Sequence, residues 1–326
     1  MTTSIYIKKI KKASYTLIYC KNDFFQMKKA VDILYEIFKT ITNIDINDLN
    51  NGDILLPSGK AISPSAAAHC LLELRRTAIF LRGIKKAIDN KRKSNTGIIN
   101  ILYAGCGPYA TLITPLLALY NANELRITLL DINQKSLEAA EILVNELGFD
   151  DSIERYILAD ASYYKVHKNY DIVISETMQA CLKNEPQVTI MQNLIPQMKD
   201  KAIFIPQKIT INTYLRNPGR WNEEKKQRFG IESKFLKKLF SVDWYNLDSD
   251  KYKATVNIPE NLDDFTELML HTTIVVYGDE ILKANNCSLT MPIKYYEFKE
   301  KYARSIKFWY SFLPQPNIKC KVVEFE

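Results

Sequence analysis

Ile98-Ile99-Asn100-Ile101-Leu102-Tyr103-Ala104-Gly105-Cys106-Gly107-Pro108 joins a nearly continuous apolar run to a glycine turn. A run so short and so apolar reads as a strand buried on both faces. The pattern recurs downstream. Leu125–Leu130, Ile153–Leu158, Tyr170–Ile174 and Ala202–Ile205 are further strand candidates, and helical spacing at Leu112–Tyr120, Ser136–Leu147 and Gln187–Gln197 falls between them. Apolar strands alternating with helices predict an α/β chain with a mostly parallel sheet covered on both faces. Ligands of such sheets sit beyond the carboxyl ends of the strands, at the topological switch point. The glycine turn after the first strand and the segment after the fourth would meet there.

The fourth strand runs into Ser175-Glu176-Thr177-Met178-Gln179-Ala180-Cys181-Leu182-Lys183-Asn184-Glu185, with two glutamates nine residues apart. Paired carboxylates opposite a glycine turn point to a nucleotide-like cofactor beside a site for a cation. A guanidinium is the best match, being planar, always protonated and forked toward carboxylates. Alternatively, Glu176 binds only cofactor or a substrate amine and Glu185 is a solvated residue before Pro186.

Gly105 and Gly107 let backbone approach a ligand closely, because glycine has no Cβ and tolerates positive φ. A G-x-G alone is equally a tight structural turn, and the third glycine of the dinucleotide pattern is replaced by Ala110. The second strand ends on Asp131, where a carboxylate can take both hydroxyls of a ribose or, alternatively, cap the next helix. Ala159-Asp160-Ala161 ends the third strand, placing Asp160 either on an adenine amino group or in a plain turn.

Outside this stretch the pattern changes. Residues 1–95 read as a mostly helical segment after a short start, with Ser63 as N-cap and Pro64 in the first turn of a helix running toward Gly83. Residues 207–326 read as a mainly antiparallel domain with strands at Ile209–Leu215, Leu268–Tyr277 and Ile306–Phe312, interrupted by a helical excursion over 220–250. The net charge of +7 in 326 residues is mild, and Lys8-Lys9-Ile10-Lys11-Lys12 reads as a solvated face. No aromatic-interleaved basic stripe points to nucleic acid. Six dispersed cysteines without a C-x-x-C pair argue against a zinc site or a disulfide framework. No membrane span and no secretory signal are expected, which makes the cytoplasm the default compartment.

Taken together, Ile101–Gly107, Leu129-Leu130-Asp131, Ala159-Asp160-Ala161 and Tyr170–Glu176 resemble the successive motifs of class I S-adenosylmethionine-dependent methyltransferases. Within that superfamily, the Glu176–Glu185 segment resembles the double-glutamate hairpin of the protein arginine methyltransferases. Glu73-Leu74-Arg75-Arg76-Thr77 resembles the helix before the cofactor strand, and Ala202-Ile203-Phe204-Ile205-Pro206 the passage into a β-barrel domain. The similarity spans roughly residues 60 to 320.

The resemblance implies a Rossmann-like 96–206 domain binding S-adenosylmethionine, covered by 1–95, with 207–326 as a barrel-like substrate and dimerisation domain. It implies Arg76, Tyr103, Ala104, Gly105, Gly107, Asp131, Ile132, Asp160, Ala161 and Glu176 around the cofactor, and Glu176 with Glu185 on a guanidino or amine-bearing acceptor. The arm at 220–250 would mediate a homodimer or shape the substrate mouth. The family's threonine-histidine-tryptophan loop is missing, and Ser288-Leu289-Thr290-Met291-Pro292 stands near its place. A free amino acid, a natural-product intermediate, a peptide or a protein therefore all remain open as acceptor. Two other readings stand beside methyl transfer: an aminocarboxypropyl transferase, since the glycine loop also resembles that of nicotianamine synthases, and a catalytically silent scaffold.

Overall fold

A computed structural model describes residues 2–48, 52–94, 97–218, 233–298 and 304–323. Two helices open the chain, α1 (Thr2–Tyr19) and α2 (Phe24–Thr42). Their apolar faces pack on each other and into the main core through Ile10, Leu17, Leu34 and Phe38. The buried Arg82 closes the hairpin from behind, its Nε donating to the carbonyls of Leu17 at 2.9 Å and Ile18 at 3.1 Å. A cation at the end of α1 satisfies carbonyls that the helix leaves over. The lysines of Lys8–Lys12 face outward.

A small hairpin, β1 (Ile54–Leu56) and β2 (Gly59–Ala61), leads into α3 (Pro64–His69). Ser63 caps α3 by accepting the Ala66 amide, with Pro64 in the first turn. The helix expected to continue from there breaks instead. A 3-10 turn over Cys70–Leu72 ends at Glu73, whose ψ of 82° is non-helical, and a separate helix, α4 (Leu74–Ser94), starts after it. Gly83 does not end α4 but lies inside it. A Cβ there would fall 2.6 Å from Val276 Cγ1, so glycine lets the helix lie close on a strand of the C-terminal region.

The expected parallel sheet is present: β3 (Ile99–Ala104), β4 (Leu125–Asp131), β5 (Ile153–Leu158), β6 (Ile172–Ser175) and β7 (Ile203–Ile205), in the order β5-β4-β3-β6-β7. Chain order runs outward from β3 to one edge, then returns to β6 on its other side. The switch point is thus the crevice between β3 and β6, where Ala104 pairs with Ser175. Gly105 and Glu176 are consequently neighbours across it. The crossovers are α5 (Thr114–Leu117), α6 (Gln134–Glu146) and α7 (Gln187–Leu194). α5 is shorter than the segment predicted over 112–120, because Pro115 has no N–H to continue a helix from residue 112.

Beyond Pro206 the chain turns antiparallel. β8 (Lys208–Arg216), β9 (Ser233–Asp243), β10 (Lys253–Asn257), β11 (Glu267–Tyr277), β12 (Glu280–Leu282), β13 (Ile293–Glu297), β14 (Ser305–Ser311) and β15 (Asn317–Val323) form two sheets. One runs β12-β11-β8-β9 with β13 also on β11, and the other runs β10-β14-β15. Phe240, Tyr252 and Tyr310 pack where the two sheets meet, with Phe240 and Tyr252 ring centres 5.4 Å apart. Of the helical excursion expected over 220–250, residues 219–232 lie outside the described residues, and 233–243 is strand paired to β8. His271 sits on β11, stacked on Tyr214 at 4.1 Å, and burial beside Arg216 lowers its pKa to about 4. All six cysteines are free. Among the described residues no helix is long and apolar enough to cross a membrane.

Candidate active site

A cavity of about 560 Å³ opens at the β3/β6 switch point and runs to the inner side of the β1–β2 hairpin and the 288–293 segment. Tyr103, Gly105, Gly107, Asp131, Ile132, Asp160 and Ala161 line it, together with Arg76, Glu176 and Glu185. Of the residues singled out in the sequence, Ala104 alone does not line it; it is fully buried in β3.

Gly105 and Gly107 hold φ of +74° and +65°. A Cβ at 105 would fall 2.5 Å from Thr177 Cγ2, so glycine is required both by conformation and by the approach of the glutamate loop. Asp131 accepts the amides of Gly107 and Asn133, each at 2.8 Å. It therefore ties the end of β4 to the glycine turn. Burial pushes its carboxyl pKa up, and those backbone amides pull against the shift. It is not the helix cap, since Asn133 accepts the Ser136 amide in that role. Asp160 Oδ1 accepts the Ser162 amide at 2.8 Å, and Ser58 of the hairpin reaches Oδ2 at 3.5 Å.

The break at Glu73 decides the centre of the site. It turns the first residues of α4 inward, so that Arg76 Nε donates to Glu176 Oε2 at 2.9 Å, Nη2 to the same oxygen, and Nη1 to Glu73 Oε2 at 2.8 Å. The other Glu176 oxygen, Oε1, is buried with no hydrogen-bond partner among the described residues. Burial opposes the charge on Arg76, yet Cys70 and the carboxylates of Glu176 and Glu73 keep its pKa well above the ordinary value. Glu73 also takes the Ser288 amide and hydroxyl, both at 2.8 Å, fastening the 288–290 turn to the start of α4.

Glu185 lines the same cavity at 7 % exposure. Burial, reinforced by the neighbouring Glu176 charge, raises its carboxyl pKa to about 7. The loop between the glutamates is strained: Cys181, Leu182 and Asn184 all have positive φ, a rare conformation for residues with a side chain. Partners from four directions hold it. Thr272 Oγ1 accepts the Cys181 amide at 2.9 Å, Tyr310 donates to the Leu182 carbonyl at 2.8 Å, and the Pro316 carbonyl accepts the Asn184 amide at 2.7 Å. The Lys60 amide donates to the Asn184 carbonyl, also at 2.7 Å. Gln187, fully buried in α7, accepts the Thr177 amide at 2.9 Å and so ties the loop's two ends. Strain sustained by so many contacts is characteristic of a functional loop.

No family model matches the chain, and no curated protein matches it. Among solved structures it is similar to the Trypanosoma brucei PRMT1 enzyme–prozyme heterotetrameric complex with AdoHcy, at 15% identity and a TM-score of 0.56, over 79% of this chain and 92% of that one. The chain shares the fold of that PRMT1 structure. The Rossmann-like parallel sheet and the antiparallel C-terminal region are the two parts of that architecture.

Within this fold, sequence reading missed how the hairpin and Gln187 serve the site. Pro57-Ser58-Gly59 signals a turn, but nothing in it shows that the turn docks on the Glu185 loop. Gly59 has φ +137°, and a Cβ there would fall 2.8 Å from the Asn184 carbonyl oxygen and 3.1 Å from the backbone of Glu185 and Pro186. Gly59→Ala is expected to cost about 1–3 kcal/mol through backbone strain and to lift the hairpin from the loop. Hydrogen exchange at the Lys60 amide reads this directly; protection unchanged from the parent would contradict the docking.

Proposed function

We propose that the protein is an S-adenosylmethionine-dependent N-methyltransferase acting on a guanidino or related cationic nitrogen. One observation carries the reading: Glu176 and Glu185 share a cavity with the Arg76 guanidinium, and one buried carboxylate oxygen, Glu176 Oε1, has no donor among the described residues. An unsatisfied buried acceptor costs about 1–3 kcal/mol, and a forked cation between the two glutamates would satisfy it.

The remaining residues fit the cofactor. Gly105 and Gly107 bring bare backbone to the cavity, and Asp131 keeps lone pairs for ribose hydroxyls beyond the two amides it accepts. Asp160 would receive the adenine amino group, with Tyr103, Ile132 and Ala161 packing around it, and Arg76 would hold the methionine carboxylate. The AdoHcy in the trypanosomal neighbour supports S-adenosylmethionine as the cofactor. When bound, the cofactor supplies a methyl group on a sulfonium centre. Glu176 and Glu185 hold the guanidinium by two edges and draw its charge toward them, leaving one nitrogen richer in electrons. Orientation and electrostatics of this kind supply much of a transfer's acceleration. The transfer releases a proton from the methylated nitrogen, and the Glu185 carboxylate, with a pKa near neutrality, is suited to accept it. A cytoplasmic enzyme working on a small molecule or peptide, as a homodimer, completes the reading; the neighbour's assembly supports association.

The test is product analysis after incubation with S-adenosylmethionine and guanidino compounds. S-Adenosylhomocysteine with a methylated acceptor is the expected outcome. Methylthioadenosine would indicate aminocarboxypropyl transfer, and no calorimetric uptake of cofactor would remove the enzyme reading.

A further inference from the structure

Two charged residues of the cavity wall, Lys60 and Lys183, take no part in holding the cofactor or the guanidinium. Both stand at the Glu185 end. Lys183 precedes Glu185 by two residues, and Lys60 lies on β2, whose amide binds the Asn184 carbonyl at 2.7 Å. Lys60 Nζ leans on Asp53 Oδ2 at 2.9 Å. Lys183 is exposed and has no ion pair among the described residues.

The wall is thus bipolar: buried carboxylates with a cationic rim. A basic peptide would bring its flanking positive charges against two ammonium groups, on a chain that already carries +7. A molecule with a cation at one end and an anion at the other meets a complement at both. The cavity volume is of the order that encloses small molecules.

We infer that the acceptor is a small guanidino carboxylic acid, of the free-arginine type, whose carboxylate is taken by Lys183 with Lys60 beside it. The inference rests on the guanidino reading of Glu176 and Glu185 and narrows it to one class of substrate.

Calorimetry on the full chain, with S-adenosylhomocysteine present so that no turnover occurs, separates the two. The ligands are L-arginine, agmatine, which is the same side chain without the carboxylate, and an end-blocked arginine–glycine repeat peptide. L-Arginine should bind about tenfold or more tightly than agmatine, the worth of one charge-assisted contact. Lys183→Met should bring the ratio toward one, and Lys183→Glu should reverse it. Since Lys183 is exposed, both variants are expected to fold, which circular dichroism checks. Agmatine or the peptide binding as well as L-arginine, or a ratio unmoved in both variants, would overturn the inference and leave the guanidino reading intact. If no guanidine binds while S-adenosylhomocysteine does, the guanidino reading itself falls.

Discussion

Glu185→Gln is expected to yield a protein that is more stable than the parent above pH 7 and slower by several orders of magnitude with a guanidino acceptor. Both effects follow from burial of one carboxylate beside another. The Glu185 pKa of about 7 in the folded chain stands above the ordinary 4.5. Between those values the unfolded chain has released the proton and the folded chain keeps it, so stability falls as pH rises through the window. Above pH 7 the full penalty is present, about 3 kcal/mol for a pKa raised from 4.5 to about 7. Glutamine has nearly the same shape and no charge, so the variant escapes the penalty, and its stability should change less between about pH 5 and 8.

The same charge is what an acceptor would use. Removing a preorganised group aimed at the reacting centre costs about 10²–10³ in rate, and losing a grip that orients the nucleophile adds to that. The guanidinium itself does not titrate in this range, so acceptor affinity should rise with pH up to about 7 as Glu185 ionises. Below that pH, binding should release a proton. Calorimetry in two buffers of different ionisation enthalpy measures the release directly. Unaltered turnover in Glu185→Gln would remove the double glutamate from the chemistry, and a thermal midpoint unchanged at pH 8 would show that the carboxylate is not held at a penalty.

The parallel sheet was readable because its inner strands β3, β4 and β6 are buried on both faces and so are written as nearly continuous apolar runs, whereas the edge strand β5 is half exposed and carries Glu154 and Arg155. Gly105, Asp131, Asp160 and Glu176 were readable for a related reason: each stands at or just past the carboxyl end of a strand, and all four line the cavity at those ends. The features that escaped depend on contacts distant in sequence. Ser233–Asp243 carries Lys234, Lys237 and Lys238 at a spacing that suits an exposed helix, yet pairing with β8 makes it a strand. The break at Glu73 leaves no local mark, having neither glycine nor proline; its compensation comes from Arg76 within the helix and from Ser288 far along the chain. Left-handed Cys181 and Leu182 run against ordinary preference, and only the contacts to Thr272 and Tyr310 explain them. The site thus departs from local preference where function is proposed, while the sheet that carries it does not.

Arg76→Met should have the largest effect on the protein itself. Arg76 is 8 % exposed, and its guanidinium serves two carboxylates, Glu176 through Nε and Nη2 and Glu73 through Nη1. Methionine keeps most of the volume and removes every donor, leaving Glu73 only the Ser288 contacts and taking from Glu176 both donors to its Oε2. Removing one partner of a buried pair typically costs about 3–5 kcal/mol, because the remaining charge is left in low dielectric. Urea unfolding should show that loss, and calorimetry should show cofactor uptake abolished with it. Instability alone could produce the second result, so the double variant Arg76→Met/Glu176→Gln separates the causes. With Glu176 neutral, most of the lost stability should return, giving a coupling energy of the same order as the single loss. Cofactor binding should not return, since the guanidinium proposed to meet the methionine carboxylate is gone, and Lys60 and Lys183 stand at the Glu185 end of the cavity. A double variant that regains both would make Arg76 a purely structural partner of Glu176, and one that regains neither would place the damage in the Glu73–Ser288 contact.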